Sequence, residues 1–213
     1  DLSIDFKALE KVINYVSNGS DYLVVNGTTG ESPTTTKSEK QQLLEFTKKH
    51  NPKQLPIVFG IGGNNTFDIL ESIKETDFEG VSAILSVCPY YNKPSQAGLI
   101  AHYTAIAKAS PVPVILYNVP GRTVTSLTTE TIVELAKHPN IIGLKDASCS
   151  LEQAQLLANT LPQDFLLVSG DDNLVTAQIS IGYKGAISVI ANGFSKPFQE
   201  MTHAALNGDF KTA

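Results

Sequence analysis

Seven short, apolar and largely β-branched runs alternate with helical patterns along the whole chain, and this alternation constrains the fold more than any other feature. The predicted strands lie at 22–25, 56–61, 83–87, 114–117, 141–144, 165–168 and 186–190. Most begin about 25 to 34 residues apart, shortening to about 20 at the last, which is typical of a strand followed by a helix. We therefore expect a parallel sheet with helices packed outside it. No linker or low-complexity tract interrupts residues 1–213, so one domain is predicted.

The segments between the strands show the apolar spacing of amphipathic helices. We expect helices at 4–16, 38–50, 67–76, 98–109, 128–137, 151–161 and 173–181. Ser38 is the predicted N-cap of the second of these. Seven strands fit a (β/α)8 barrel that lacks one strand, or an open doubly wound sheet. The only candidate dinucleotide fingerprint, Gly60-Ile61-Gly62-Gly63, has the wrong spacing, so we interpret its glycines as turn and close-packing positions.

Composition narrows the class of protein. The chain is 42% hydrophobic and 17% charged, with a net charge of -5 and no basic run, which argues against nucleic acid or an anionic membrane as a partner. No apolar stretch approaches the roughly 20 residues that span a bilayer. Cys88 and Cys149 are far apart, which favours a reducing compartment. The histidines form no metal-ligand pattern, and no secretion signal opens the chain, which begins at Asp1 without an initiator Met.

Lys145 is the residue that most strongly suggests chemistry. It ends the apolar run Ile141-Ile142-Gly143-Leu144, which is typical of a strand buried on both faces. Alternation along a strand predicts that Ile141, Gly143, Lys145 and Ala147 share one face, where the small neighbours leave room for a long side chain. Burial disfavours the charged lysine, and the neutral amine can attack a ketone to form a Schiff base. Alternatively, the side chain reaches water from the end of the strand.

Other polar residues follow the remaining strands, where the carboxyl ends of a parallel barrel gather its chemistry. They comprise Thr28 and Thr29, Tyr90 and Tyr91, Tyr117 and Arg122, Asp171 and Asp172, and the segment Ala191-Asn192-Gly193. Each has a structural interpretation as a turn residue, packing aromatic or surface charge. For the two aspartates, N-capping of the next helix is the expected role. Their joint position on the rim that carries Lys145 nevertheless favours a functional site.

These motifs resemble those of the dihydrodipicolinate synthase (4-hydroxy-tetrahydrodipicolinate synthase) family, within the superfamily of N-acetylneuraminate lyase and other class I aldolases. The resemblance covers nearly all of the chain. It rests on Gly-Thr-Thr-Gly-Glu at 27–31, Tyr-Tyr-Asn-Lys-Pro at 90–94, Tyr-Asn-Val-Pro-Gly-Arg-Thr at 117–123, Gly-Leu-Lys-Asp at 143–146 and Gly-Asp-Asp at 170–172. It implies a (β/α)8 TIM barrel followed by a small helical C-terminal region.

The resemblance also implies a reaction, the condensation of pyruvate with L-aspartate 4-semialdehyde in lysine and diaminopimelate biosynthesis. Lys145 would form the imine with pyruvate. Tyr117 would carry protons near the imine, and Thr28 and Tyr91 would complete a hydroxyl relay to solvent. In the family, Tyr91 reaches into the neighbouring subunit's site, which implies a homo-oligomer, a dimer of dimers.

Four further residues are implied to bind the substrates. Thr29 would hold the pyruvate carboxylate, and Arg122 would take the semialdehyde carboxylate by a bidentate contact. Gly170 and the backbone carbonyl of Ile187 would line the pocket. No cofactor or metal is implied, and the family points to the cytoplasm.

The chain departs from the family pattern at both ends. The family's first barrel strand is absent, and the chain stops at Ala213 in the first part of the helical tail, so we expect a single barrel domain, 1–213, truncated at both ends. A sibling pyruvate-dependent aldolase such as N-acetylneuraminate lyase, or an inactive barrel fragment, remains as an alternative. We also expect the place of the missing strand to be filled by other residues, by a partner or by a rearranged segment, because open strand edges carry unpaired backbone groups.

Family members inhibited by lysine usually carry a histidine or similar neutral group in the helix after the Thr-Thr-Gly-Glu motif and a glutamate in the helix after the third strand. This chain has Lys37 and Lys40 in the first position and Asp68 in the second, although Asn64 and Tyr90 match the pattern. Two cations would oppose the effector's ammonium group. We therefore expect feedback by lysine to be weak or absent.

Overall fold

The computed structural model describes residues 3–213, which form an α/β fold built on one parallel sheet. Its six strands lie side by side in chain order, each hydrogen-bonded to the next. They are β1 (Leu23–Val25), β2 (Ile57–Gly60), β3 (Val81–Val87), β4 (Val114–Asn118), β5 (Ile141–Asp146) and β6 (Leu166–Ser169). Because all strands run the same way, their carboxyl ends lie along one rim.

Helices connect and follow the strands, as the alternating pattern predicted. They are α1 (Phe6–Val16), α2 (Lys37–Lys49), α3 (Thr66–Glu75), α4 (Gln96–Ala109), α5 (Pro120–Thr123), α6 (Thr129–Leu135), α7 (Leu151–Thr160), α8 (Val175–Ser180) and α9 (Ser195–Leu206). The short helix α5 and the last helix α9 were not among the predicted segments. The helices from α1 to α8 that were predicted agree with the sequence pattern to within a few residues.

The start of α2 differs from the prediction that Ser38 is its N-cap. Thr36 caps the helix instead, and its hydroxyl accepts a hydrogen bond from the backbone N–H of Glu39 at 3.2 Å. The Glu39 carboxylate accepts in return from the Thr36 backbone N–H at 2.7 Å. This reciprocal capping box satisfies two N–H groups at once, which a cap at Ser38 would not achieve.

Apolar side chains form two clusters, one on each face of the sheet. The larger lies between the sheet and the helices, and the smaller contains Ile115, Tyr117, Ala147, Val168 and Ile187 on the inner face. Leu144 belongs to the outer cluster, so Lys145 and Ala147 point inward, as alternation predicts.

The prediction that Ile141 lies on the same face of the sheet as Lys145 is wrong. A register shift opposite Val114 and Ile115 skips one residue of β5, so Ile141 packs in the outer cluster and Ile142 against the inner one.

The seventh predicted strand, at 186–190, is not formed as a strand. Ala186 makes one isolated parallel bridge with Ser169, and the Ile187 N–H donates to the Ser169 carbonyl at 2.8 Å. Beyond Ile187 the chain leaves the sheet and enters a 3-10 turn at Ile190–Asn192. The prediction rested on the apolar, β-branched composition of the run. The run does not form a strand because the backbone N–H groups of Val189 and Ile190 donate to the Asp172 carboxylate and not to a neighbouring strand.

The sheet curls, and side chains link the segments at its two outer edges. The Tyr22 hydroxyl, beside β1, donates to the Ala186 carbonyl beyond β6 at 2.8 Å. Asp21 accepts from Gln199 of α9 at 2.8 Å and lies 2.9 Å from the ring nitrogen of His203. The Ser195 hydroxyl donates to the Val16 carbonyl at 2.9 Å. Among the described residues, β1 and β6 do not pair, and these side-chain hydrogen bonds link the two edges without a strand between them. The expected filling of the missing strand's place stays a prediction.

Candidate active site

The end of β5 places Lys145 inside the curled sheet. Only 8% of its surface is exposed, and it lies beside Tyr117 of β4, its register partner. The Nζ atom is 4.2 Å from the centre of the Tyr117 ring, the geometry of a cation–π contact. The alternative that the side chain reaches water from the strand end does not hold for this structure.

Burial changes the chemistry of this amine. Desolvation lowers the pKa of Lys145 from 10.5 to about 8, and the negative charges of Asp172 and Asp171 oppose the change by favouring the ammonium form. At pH 7, this raises the fraction of free amine about 300-fold over that of an ordinary lysine. The residue therefore combines a usable supply of neutral nucleophile with nearby charges that would stabilise a protonated imine.

Tyr117 lies directly beside Lys145, on the neighbouring strand β4. Burial raises its pKa above the usual 10, while a hydrogen bond with Thr28 and the positive charge of Arg122 act in the opposite direction. The phenol consequently keeps its proton at neutral pH, linked to a second hydroxyl. Three predicted residues, Lys145, Tyr117 and Thr28, thus lie near one another, with Arg122 close enough to act on Tyr117 electrostatically.

Gly170 allows the lysine to occupy its position. A Cβ atom at this residue would lie 2.8 Å from Ala147 Cβ, which is closer than real Cβ contacts, and 3.0 Å from Lys145 Cε, which is tighter than most of them. The Gly170 N–H donates to the Asp146 carbonyl at 2.7 Å, which fixes the turn directly beside β5. Any larger residue would displace either the lysine or the inner core.

The two aspartates after β6 do not cap the next helix, and that prediction is wrong. Asp171 occupies the cap position of a 3-10 turn, Asp172–Leu174, without a side-chain capping bond. Its carboxylate instead accepts from the backbone N–H of Cys149 at 3.2 Å. The Asp172 carboxylate accepts from the backbone N–H groups of Val189 at 3.0 Å and Ile190 at 2.9 Å. Sequence reasoning missed their role because these partners lie far along the chain.

The remaining predicted residues are placed less closely together. Thr29 is exposed in the 3-10 turn Thr28–Gly30, and Arg122 is exposed on α5. Ile187 is 9% exposed and packs in the inner cluster. Tyr91 is 86% exposed with a positive φ of 71°, and no contact links it to Tyr117 or Thr28 within the described part of this chain.

A cleft of about 500 Å³ opens at the rim of the sheet, and Thr28, Tyr117 and Arg122 line it. The same cleft is also lined by Lys37, Lys40, Asn64, Asp68 and Tyr90. Lys37 also forms an ion pair with Glu75 at 3.5 Å.

Residues 3–213 hold neither a candidate metal site nor a helix that could span a membrane. No cluster of three or more His, Cys, Asp or Glu side chains there is arranged to hold a metal ion. None of the helices in that range has the length and apolarity needed to cross a membrane. Cys88 and Cys149 are both free, the first buried and the second exposed.

A curled parallel sheet with a desolvated lysine and a tyrosine at its carboxyl rim defines an enzyme of the class I aldolase type. The chain belongs to the dihydrodipicolinate synthetase family, whose model matches residues 1–213. It is 48% identical over 214 residues to the 4-hydroxy-tetrahydrodipicolinate synthase of Cytophaga hutchinsonii, covering 100% of this chain and 72% of that relative.

Solved structures agree with this assignment. Dihydrodipicolinate synthase from Aquifex aeolicus superimposes with a TM-score of 0.94 at 36% identity, covering 99% of this chain and 73% of that one. The chloride-inhibited dihydrodipicolinate synthase of Acinetobacter baumannii, solved in complex with pyruvate, gives a TM-score of 0.95 at 39% identity over 99% of this chain and 73% of that one. The family named in the sequence analysis is therefore confirmed.

Proposed function

We propose that Lys145 is the Schiff-base residue of a lyase that condenses pyruvate with L-aspartate 4-semialdehyde to give 4-hydroxy-tetrahydrodipicolinate. This reaction belongs to lysine and diaminopimelate biosynthesis. The observation that carries the assignment is the desolvated amine at the end of β5, whose pKa of about 8 supplies free nucleophile near neutral pH. Family membership supplies the two substrates.

The reaction begins when the Lys145 amine adds to the ketone carbon of pyruvate and water leaves, which forms an imine. Loss of a proton from the methyl group gives an enamine, with the protonated nitrogen as the electron sink. The methyl carbon then attacks the aldehyde of the second substrate and forms a new carbon–carbon bond. Finally, the amine of the semialdehyde attacks the imine carbon, closes the ring and releases Lys145. One water is lost overall.

Tyr117 is the proton carrier in this scheme. It keeps its proton at rest because burial raises its pKa, and it contacts both Lys145 and Thr28. A phenol that shares a hydrogen bond with a second hydroxyl can pass a proton to the aldehyde oxygen and recover one from its neighbour. Tyr91 would extend this relay in the site of a neighbouring subunit. Its 86% exposure leaves the ring free to do so.

The substrate carboxylates would be held at the rim. Thr29 would bind that of pyruvate, and Arg122 that of the semialdehyde, because a guanidinium forms bidentate contacts with a carboxylate. Gly170 would leave space for the imine, and the Ile187 carbonyl would line the opposite wall. A (β/α)8 TIM-barrel fold, assembly as a dimer of dimers and a cytoplasmic location complete the proposal.

The assignment is tested by incubating the protein with pyruvate and L-aspartate 4-semialdehyde and measuring the cyclic product by mass spectrometry. Product is expected from the native chain and not from Lys145→Arg, because a guanidinium stays protonated and cannot form the imine. Cleavage of N-acetylneuraminate without formation of the cyclic product would instead assign the sibling lyase activity. No product with either substrate would identify an inactive fragment.

A further inference from the structure

The turn Gly170-Asp171-Asp172 directly follows β6, and its first residue packs against the Lys145 side chain. The Asp172 Oδ2 atom accepts two backbone hydrogen bonds, from Val189 at 3.0 Å and from Ile190 at 2.9 Å. A carboxylate that accepts from two consecutive N–H groups fixes both the position and the orientation of that backbone. Asp172 thus holds a segment 17 and 18 residues further along the chain.

This segment begins immediately after Ile187. The Ile187 N–H is still bonded to Ser169 of β6, but the chain then leaves the sheet. Val189 and Ile190 are 54% and 49% exposed, so packing contributes little to their position. The sheet therefore anchors the backbone up to Ile187. Beyond Ile187, the hydrogen bonds to the Asp172 side chain anchor it.

Asp172 also faces Lys145 electrostatically. The charged and titratable groups that act on the lysine are Asp172 and Asp171 from the turn after β6 and the Tyr117 ring from β4. The Cys149 backbone N–H donates to the Asp171 carboxylate, and the positive charge of Arg122 acts to lower the pKa of Tyr117. The second carboxylate oxygen, Asp172 Oδ1, is shielded from solvent and has no hydrogen-bond partner within residues 3–213. Its negative charge is consequently not offset by a donor there.

We propose that Asp172 is a positioning residue that fixes the Ile187–Ile190 segment at the wall of the site and places a negative charge beside Lys145. This inference rests on the proposed roles of Lys145 and Ile187. The charge opposes desolvation and favours cationic nitrogen, both in the free lysine and in the protonated imine. One carboxylate would then set the geometry of the pocket wall and the proton affinity of the nucleophile together.

Two variants separate the two effects. Asp172→Asn keeps an oxygen that can accept from Val189 and Ile190 but removes the charge, whereas Asp172→Ala removes both. Asp164→Asn, at an exposed residue before β6, is the matched control. The proton affinity of Lys145 is read without substrate, from the pH dependence of its acetylation by acetic anhydride, with peptide mass spectrometry. The tether is read from amide hydrogen exchange at Val189 and Ile190.

The expected results differ between the variants. Asp172→Asn moves the midpoint of Lys145 acetylation to lower pH, with little change in exchange at the two amides. Asp172→Ala moves the midpoint in the same direction and accelerates exchange about tenfold or more, as loss of a hydrogen bond to a charged group predicts. It also raises the pyruvate KM more than Asp172→Asn does, because the wall that includes Ile187 is no longer held.

An unchanged midpoint in Asp172→Asn, or unchanged exchange in Asp172→Ala, would overturn the inference. Both readouts are independent of turnover. If the native chain formed no pyruvate adduct but the two shifts occurred, the proposed function would fail while the positioning role would stand. A midpoint that moved equally in Asp164→Asn would also overturn the assignment, because it would reflect net charge alone.

Discussion

Replacing Lys145 with methionine is expected to stabilise the fold at neutral pH. In the unfolded chain a lysine keeps its proton up to about pH 10.5, whereas burial lowers the folded pKa of Lys145 to about 8. Between these values the unfolded state binds more protons, so the native protein gains stability as the pH rises. At about 1.4 kcal/mol per pH unit, the buried ammonium lowers stability by about 3 kcal/mol below pH 8. Methionine, of similar length, removes that penalty.

The measurement is urea unfolding of the native chain and of Lys145→Met at intervals from pH 6 to pH 10.5. The variant should be more stable by up to about 3 kcal/mol below pH 8, and the difference should shrink to near zero by pH 10.5. Lys184→Met, at an exposed lysine, is the control and should show no such pH-dependent gain. A constant difference across the range, or a variant less stable at pH 7, would refute the reasoning that Lys145 is a desolvated amine.

Three further outcomes are expected. Arg122→Ala should weaken use of the semialdehyde by about 2–5 kcal/mol in kcat/KM while leaving pyruvate adduct formation nearly unchanged; equal loss of both steps in steady-state and trapping assays would make the arginine structural. Gly170→Ala should greatly reduce pyruvate trapping, because its methyl group would meet Lys145 Cε at 3.0 Å and Ala147 Cβ at 2.8 Å; undiminished trapping would contradict this account of the turn. Feedback by free lysine, titrated on the active protein, should be weak or absent because two lysines of α2 line the cleft; half-inhibition below about 1 mM, worth roughly 4 kcal/mol, would disprove it.

The sheet and the position of Lys145 were predictable because they follow from local patterns. Each apolar run recurs at the spacing of a strand and helix, and the structure forms six of the seven as parallel strands. Alternation also predicted that Lys145 points away from Leu144. Alternation failed four residues earlier, at Ile141, because a register shift is decided by the neighbouring strand and leaves no mark in the sequence of β5.

The environment of the lysine was harder to predict because its partners are distant in sequence. Asp171 and Asp172 look like helix caps, since aspartate before a helix usually bonds to the next turn. In the structure their carboxylates bond to Cys149, Val189 and Ile190, which only the packing of loops at one rim brings near. The same long-range bonding explains why the apolar run after Ala186 does not form a strand.

Borohydride trapping tests the central claim most directly. The native chain, incubated with pyruvate and then reduced with borohydride, should gain the mass of one reduced pyruvate, and peptide mass spectrometry should locate it on Lys145. The adduct should be absent from Lys145→Met and from reactions without pyruvate. An adduct on another lysine, such as Lys184, or no adduct on the native chain would contradict the account.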